Sequence, residues 1–240
     1  MKFYLGCYNA AWFKRLDIPL FVSRNRLIDR NSLPQALGTW ALDSGGFTEV
    51  ATHGKWRTNA ATYAEQVKWL QGIGNMDWCA PQDYMCEPPI VAKTGLSVET
   101  HIALTVHNYL ELSQYDIPVI PVLQGWQLDD YIACADLYAQ NGVDLTQCDT
   151  VGLGSVCRRQ ATSEIEQITR ELHSYGFKLH GFGVKIAGLH KYGQYLKSAD
   201  SMAWSFGGRM TQDENCDKKN CANCMHYALT WRDKVLRAAA

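Results

Sequence analysis

Trp40-Ala41-Leu42-Asp43-Ser44-Gly45-Gly46-Phe47 joins an apolar run to a carboxylate, a hydroxyl, two glycines and an aromatic ring. The run has the length and composition of a strand buried on both faces. It delivers Asp43 to a surface where the backbone comes close to a ligand, since glycine has no side chain to block the approach. Strand ends also carry Asp and Gly simply because the chain turns there. The stretch alone leaves both readings open, and the residues around it have to separate them.

Seven further apolar or β-branched runs accompany it: residues 3–8, 19–23, 78–83, 118–125, 150–156, 178–184 and 198–204. Between the later runs lie segments with helical spacing. Thr58 is placed to cap a helix through Leu70, with Tyr63, Val67 and Leu70 on one face. Ser97 is placed to cap another to about Leu112, with Glu99 at the positive end of its dipole. Residues 127–140, 162–175 and 188–197 read as helices too. Buried strands alternating with helices imply a parallel sheet covered by helices. Eight runs in 240 residues predict an α/β, (β/α)8 TIM-like barrel with a C-terminal metal-binding segment. The first two crossovers are too short for long helices. An open doubly wound sheet is the alternative, but no Gly-x-Gly-x-x-Gly follows the first run. Residues 1–240 are expected to form a single domain that includes a tail at 210–240.

Composition narrows the function. A net charge of −1 gives no global pull toward nucleic acid, so any such contact must be local. No apolar run is long enough for a membrane span, and the N-terminus lacks a signal-peptide pattern. With nine cysteines and no secretion signal, metal ligation or buried thiols are expected rather than disulfides. The expected location is the cytoplasm, or a host's cytoplasm for a phage-encoded chain, without membrane partners.

In a barrel the chemistry belongs at the C-terminal strand ends. Those ends carry Asp43, Asp83, Gln124, Gly154, Ser155 and Asp200. Three carboxylates around one mouth can divide into nucleophile, proton handler and recognition group. Arg24, Arg26, Arg158, Arg159, Lys185 and Arg209 are candidates to hold phosphates around the same mouth. In the tail, Cys216, Cys221 and Cys224 lie within nine residues, two of them in a C-x-x-C pair, which is a zinc-site pattern. His226 is the fourth candidate ligand, with another residue or water as the alternative. A closed set of this kind would be structural.

Taken together these pieces resemble the tRNA-guanine transglycosylase superfamily of zinc-containing (β/α)8 barrels. Asp43-Ser44-Gly45-Gly46-Phe47 is similar to its Asp-Ser-Gly-Gly-Phe signature, which implies Asp43 in acid/base chemistry and Ser44 at the base pocket. Asp77 to Asp83 resembles the segment whose final aspartate grips the guanine edge. Leu123-Gln124-Gly125 resembles Val-Gln-Gly, a base contact. Val151-Gly152-Leu153-Gly154-Ser155 resembles the segment whose backbone N–H meets the base carbonyl. Asp200-Ser201-Met202-Ala203-Trp204 resembles the stretch around the catalytic aspartate, and this register makes Asp200 the nucleophile. A second register puts Ala203 there instead. Thr48 departs from the glutamine that often follows the signature phenylalanine, and the cysteine spacing differs. The short chain looks closer to the compact phage and bacterial branch that exchanges guanine in DNA for a 7-deazaguanine.

The resemblance implies a pentosyltransferase that replaces guanine in DNA with a preQ0-like base through an aspartyl glycosyl-enzyme, with structural Zn2+. A tRNA enzyme of the same chemistry, a non-catalytic nucleic-acid-binding subunit and a base-releasing hydrolase are the alternatives. Helper proteins or a second copy of the chain stay open as partners.

Overall fold

The computed structural model describes residues 1–159, 161–213, 216 and 219–238. Eight short strands and nine α-helices lie among them: β1 (Lys2–Cys7), β2 (Leu20–Ser23), β3 (Trp40–Asp43), α1 (Gly46–His53), α2 (Ala60–Gln71), β4 (Met76–Cys79), α3 (Pro88–Thr94), α4 (Val98–Leu112), β5 (Val122–Leu123), α5 (Leu128–Gln140), β6 (Val151–Leu153), α6 (Ser163–Ser174), β7 (Leu179–Gly181), α7 (Ile186–Tyr192), β8 (Ser198–Ser201), α8 (Ala203–Arg209) and α9 (Met225–Ala238). The first two crossovers hold only 3₁₀ turns, Ala10–Trp12 and Arg24–Arg26, as their length requires.

All strand pairs are parallel, in the order β4-β3-β2-β1-β8-β7-β6-β5. The sheet therefore curls until first and last strands are neighbours, with Tyr4 opposite Asp200. Its two outer edges meet through one bridge, Cys79 to Val119, with Cys79 N–H donating to Pro118 O (2.9 Å) and Ile120 N–H to Cys79 O (3.1 Å). This is compatible with a (β/α)8 barrel. Strand β5 is only two residues long. Pro118 and Pro121 in the same run have no N–H to give a ladder, and their carbonyls only accept.

Strand periodicity fills the inside of the curl. Tyr4, Ala41, Trp78, Ala80 and Ile120 pack there together with Phe21 and Phe182. Helices cover the outside. On α6 the buried residues Ile165, Ile168, Thr169 and Leu172 follow helical spacing. Ser97 caps α4 by accepting Thr100 N–H at 3.2 Å, as its sequence predicts. The cap of α2 is Asn59, which accepts Thr62 N–H at 2.8 Å; the expected cap, Thr58, instead accepts from Arg24 Nη2 at 3.2 Å. The 188–197 segment divides into α7 and a 3₁₀ turn, Gly193–Tyr195. The run at 198–204 ends as a strand at Ser201, because Trp204 turns into α8, stacks on Trp12 and donates to Gly6 O (2.9 Å). Among the described residues no helix is long and apolar enough to cross a membrane.

Candidate active site

The C-terminal strand ends converge on two adjoining cavities. The inner one, about 230 Å³, is lined by Asp43, Asp83, Glu87, Gln124, Gly154 and Asp200, with Phe21, Phe47 and Phe182 among its apolar walls. The outer one, about 510 Å³, is lined by Tyr8, Ser23, Asn25, Arg26, Thr48 and Met202. Phe21, Asp43 and Asp200 belong to both, so these residues stand where the two spaces meet.

Asp43 closes β3 and its Oδ1 accepts Gly45 N–H at 3.1 Å. Gly45 has φ +81°, and a Cβ there would lie 2.5 Å from Asn25 Nδ2, so its role is conformational. Gly46 fits the close-approach reading better. It lines the inner cavity, and a Cβ there would lie 3.1 Å from Asp83 Oδ1. Both carboxyls retain a solvent-accessible face but are surrounded by protein atoms. That burial raises Asp43, and the charge of Asp200 adds to it. Gly45 N–H, the Ser23 hydroxyl and the Arg24 charge oppose the rise. Burial likewise pushes Asp83 up to about 7, against the Gln124 hydrogen bond and with help from Asp43 and Glu87.

Gln124 follows β5 and is fully buried. Its Nε2 donates to Asp83 Oδ2 at 2.6 Å, and its Oε1 accepts from Ser155 Oγ at 2.7 Å. Ser155 Oγ also lies 3.0 Å from Glu87 Oε2 and accepts Cys86 N–H at 2.8 Å. To reach all of these, Ser155 adopts φ +55°, a conformation that non-glycine residues take at a cost of order 1–3 kcal/mol. Asp200 sits in β8 and is buried; its Oδ1 accepts Gly183 N–H at 3.0 Å and lies 3.3 Å from His180 Nε2. Ala203, the other register's candidate, opens α8 and lines neither cavity.

Several expected residues stand elsewhere. Gly154 lines the cavity, but its N–H donates to Leu123 O (3.0 Å) and its C=O accepts from Tyr131 (2.8 Å). The backbone role expected of it is thus taken up by the sheet. A Cβ at Gly154 would fall 2.3 Å from Gln124 Nε2, so glycine here makes room for that side chain. Ser44 is buried and its Oγ accepts Gly46 N–H at 3.3 Å, and Gly125 packs against Asp130 and Tyr131; neither lines a cavity.

Two of the six cations are interior. Arg24 is buried beside Tyr63, its guanidinium 5.7 Å from the ring, with Nε and Nη1 lacking hydrogen-bond partners. Arg159 stacks 3.8 Å from Trp126 and pairs with Glu164 at 3.0 Å. Arg24 is enclosed by the fold and Arg159 is engaged by Trp126 and Glu164, and neither lines the two cavities. Arg26 is exposed at the outer cavity, and Arg158 is exposed 4.9 Å over Phe47 at the inner mouth. Lys185 and Arg209 are exposed at the start of α7 and the end of α8.

The sulfurs of Cys216, Cys221 and Cys224 lie within 4.8 Å of one another and could hold a metal ion. Tetrahedral zinc–thiolate bonds of about 2.3 Å separate sulfurs by about 3.8 Å, so the set fits with small adjustment. His226 lies outside the cluster, exposed on α9, which corrects its assignment as the fourth ligand. None of the nine cysteines is in a disulfide.

Sequence reading missed Glu87, Phe182 and His180 as parts of the site. Glu87 had one signal, its place just before the Pro88-Pro89 helix start. Phe182 and His180 had only strand alternation, which does not separate a site wall from a core side chain.

A family model described as DpdA, DeoxyPurine in DNA protein A, matches residues 1–240. No curated protein sequence matches the chain. Among solved structures, a provisionally named isomerase from Sinorhizobium meliloti in an open-loop conformation is similar at 10% identity and a TM-score of 0.46. A second structure of a provisionally named isomerase from Sinorhizobium meliloti is similar at 10% identity and a TM-score of 0.44. Each comparison covers 83% of this chain and 49% of the other, so the chain spans about half the length of those structures.

Proposed function

The chain belongs to the DpdA family, and on that premise we propose that it exchanges guanine in DNA for a 7-deazaguanine such as preQ0. The observation that carries this reading is the junction of the two cavities. The inner space has the scale of one bicyclic base, about eight waters of liquid volume. Asp83 and Gln124 line it as the groups that read a base edge. The outer space, with Tyr8, Asn25 and the Arg26 cation, suits a sugar and its phosphates. The glycosidic bond of an extruded nucleotide then lies at Asp200 and Asp43.

In this mechanism a carboxylate oxygen of Asp200 bonds to C1′ as the C1′–N bond to guanine breaks. The bond's electron pair leaves on the base, and Asp43 supplies the proton; burial raises its pKa and so helps it hold that proton until the base leaves. The incoming base gives its N–H proton to Asp43, its nitrogen bonds to C1′, and the ester opens to return the Asp200 carboxylate. Neighbouring carboxylates favour the cation-like centre at C1′. The overall fold in this reading is a (β/α)8 barrel, with zinc in the cysteine cluster fixing the α8–α9 junction.

Mass spectrometry of nucleosides tests it, with DNA and tRNA incubated in parallel with the protein and preQ0. Deazaguanine in DNA is the expected result, and Asp200→Asn should give neither exchange nor a covalent protein–DNA adduct. Exchange in tRNA alone would reassign the substrate. Release of free guanine without incorporation would make the protein a hydrolase, and native-rate exchange by Asp200→Asn would remove Asp200 as nucleophile.

A further inference from the structure

Directly beside Asp200, inside the curled sheet, His180 of β7 is completely buried. A buried imidazole is tolerable only when its nitrogens are satisfied. Here Nδ1 lies 2.9 Å from Ser198 Oγ and Nε2 lies 3.3 Å from Asp200 Oδ1. The strands build this row by themselves. His180 stands opposite Ser198 in the parallel register, and Asp200, two residues on, shares its face. With Asp200 acting as a carboxylate nucleophile, its Oδ1 can only accept, so Nε2 carries a hydrogen; the Ser198 hydroxyl can donate to Nδ1 or accept from it. The rings of Trp78 (4.7 Å), Phe182 (4.8 Å), Tyr4 (5.8 Å) and Phe21 (5.9 Å) enclose the imidazole and hold its plane.

The second donor to Asp200 Oδ1 is Gly183 N–H, from the turn after β7, where φ is +66° and a Cβ would strike Cys157 Cβ at 2.8 Å. Both donors thus come from the β7 end and both take the same oxygen. We propose that His180 is a positioning residue: with Gly183 N–H it pins Oδ1 of Asp200 and leaves Oδ2 as the oxygen that meets C1′. This rests on the transglycosylase reading of Asp200. His180 lines neither cavity, so it acts only through Asp200.

The test is the single-turnover rate of covalent adduct formation, alongside preQ0 affinity and a thermal melt for each variant. His180→Phe fills the aromatic box without a donor, and His180→Gln restores an N–H near the Nε2 position. A misdirected nucleophile loses about 100-fold in rate, so His180→Phe should form adduct about 100-fold more slowly at unchanged base affinity. His180→Gln should recover most of that loss. A purely packing role predicts the reverse, since Phe suits the box better than Gln. Native speed in His180→Phe overturns the inference. Should that variant fail to fold, Ser198→Ala decides. Slowing at unchanged base affinity supports the row of bonds, and native speed overturns it. If the native protein forms no adduct at all, the reading of Asp200 fails and this inference falls with it. Adduct in the native protein together with native speed in His180→Phe removes the inference alone.

Discussion

Lowering the pH should weaken base binding through Asp83. Its pKa is pushed up to about 7 because burial disfavours the charged carboxylate. A guanine-type edge offers adjacent N–H donors, and only the ionised carboxylate accepts from both. Above pH 7 the carboxylate is largely ionised and affinity is flat. Below it, each pH unit removes about tenfold of the competent form. Between pH 8 and pH 6 the preQ0 affinity should therefore fall about tenfold, about 1.4 kcal/mol. Calorimetric titration measures this directly, and repeating it in buffers of different ionisation heat should show close to one proton released on binding at pH 6. Asp83→Asn should bind weakly with no such slope. The same group has a consequence for stability. Its folded value lies above its ordinary value, so the folded state holds the proton longer than the unfolded chain. Stability is then lost as pH rises from about 4 through 7, and ionising Asp83 costs on the order of 4 kcal/mol at most. Asp83→Asn should melt above the native protein at pH 8, and the difference should vanish near pH 4. A pH-independent native affinity, or an Asp83→Asn variant with the native slope, would refute the assignment of Asp83 as the titrating base reader.

Gly154→Ala should displace Gln124, whose amide lies 2.3 Å from the added carbon, and weaken preQ0 binding by about 10-fold or more as the Asp83 hydrogen bond is lost; an unchanged dissociation constant would count against it. Arg26→Ala and Arg158→Ala should each flatten the salt dependence of DNA binding by about one unit of slope while leaving free-base affinity intact, as measured by fluorescence anisotropy across a salt series. Elemental analysis should find one zinc per chain, and Cys221→Ser should lose it and melt at lower temperature, since the metal would hold together the turn whose backbone joins Cys221 N–H to the carbonyls of Gly208 and Thr211.

The eight strands were legible because each is a compact apolar run bounded by turns, and the parallel order was suggested by the helices that lie between them from β3 onward. What escaped was local competition. Asn59 outdoes Thr58 as a cap because its carbonyl reaches the Thr62 amide. β5 shrank because two prolines cannot feed a ladder. At the site, Asp43, Asp83, Gln124 and Asp200 were readable from their places at strand ends, and the structure brings them to one inner cavity. Gly154 lines the same cavity, but the sheet takes its N–H. Arg24 and Arg159 were misplaced because a charge in a loop sequence does not reveal the ring on which it stacks. His226 was misplaced because its helix carries it away from the sulfurs.

A near-neutral chain can still present strong local fields, and the arrangement here segregates them by depth. Asp43, Asp83, Glu87 and Asp200 crowd a small inner cavity, while Arg26 and Arg158 stand at its approaches. Burial raises both Asp43 and Asp83, and repulsion from the neighbouring carboxylates adds to it. That repulsion is relieved by what the proposed reaction brings: N–H donors to Asp83 and a cation-like carbon to Asp200. The exposed cations at the approaches are suited to phosphates, which an inner ring of acids would repel. The segregation thus favours an extruded nucleotide entering base first, with its backbone outside. The Gln124–Ser155–Glu87 network fixes the amide beside Asp83, which in the proposed reading would set the orientation of the base.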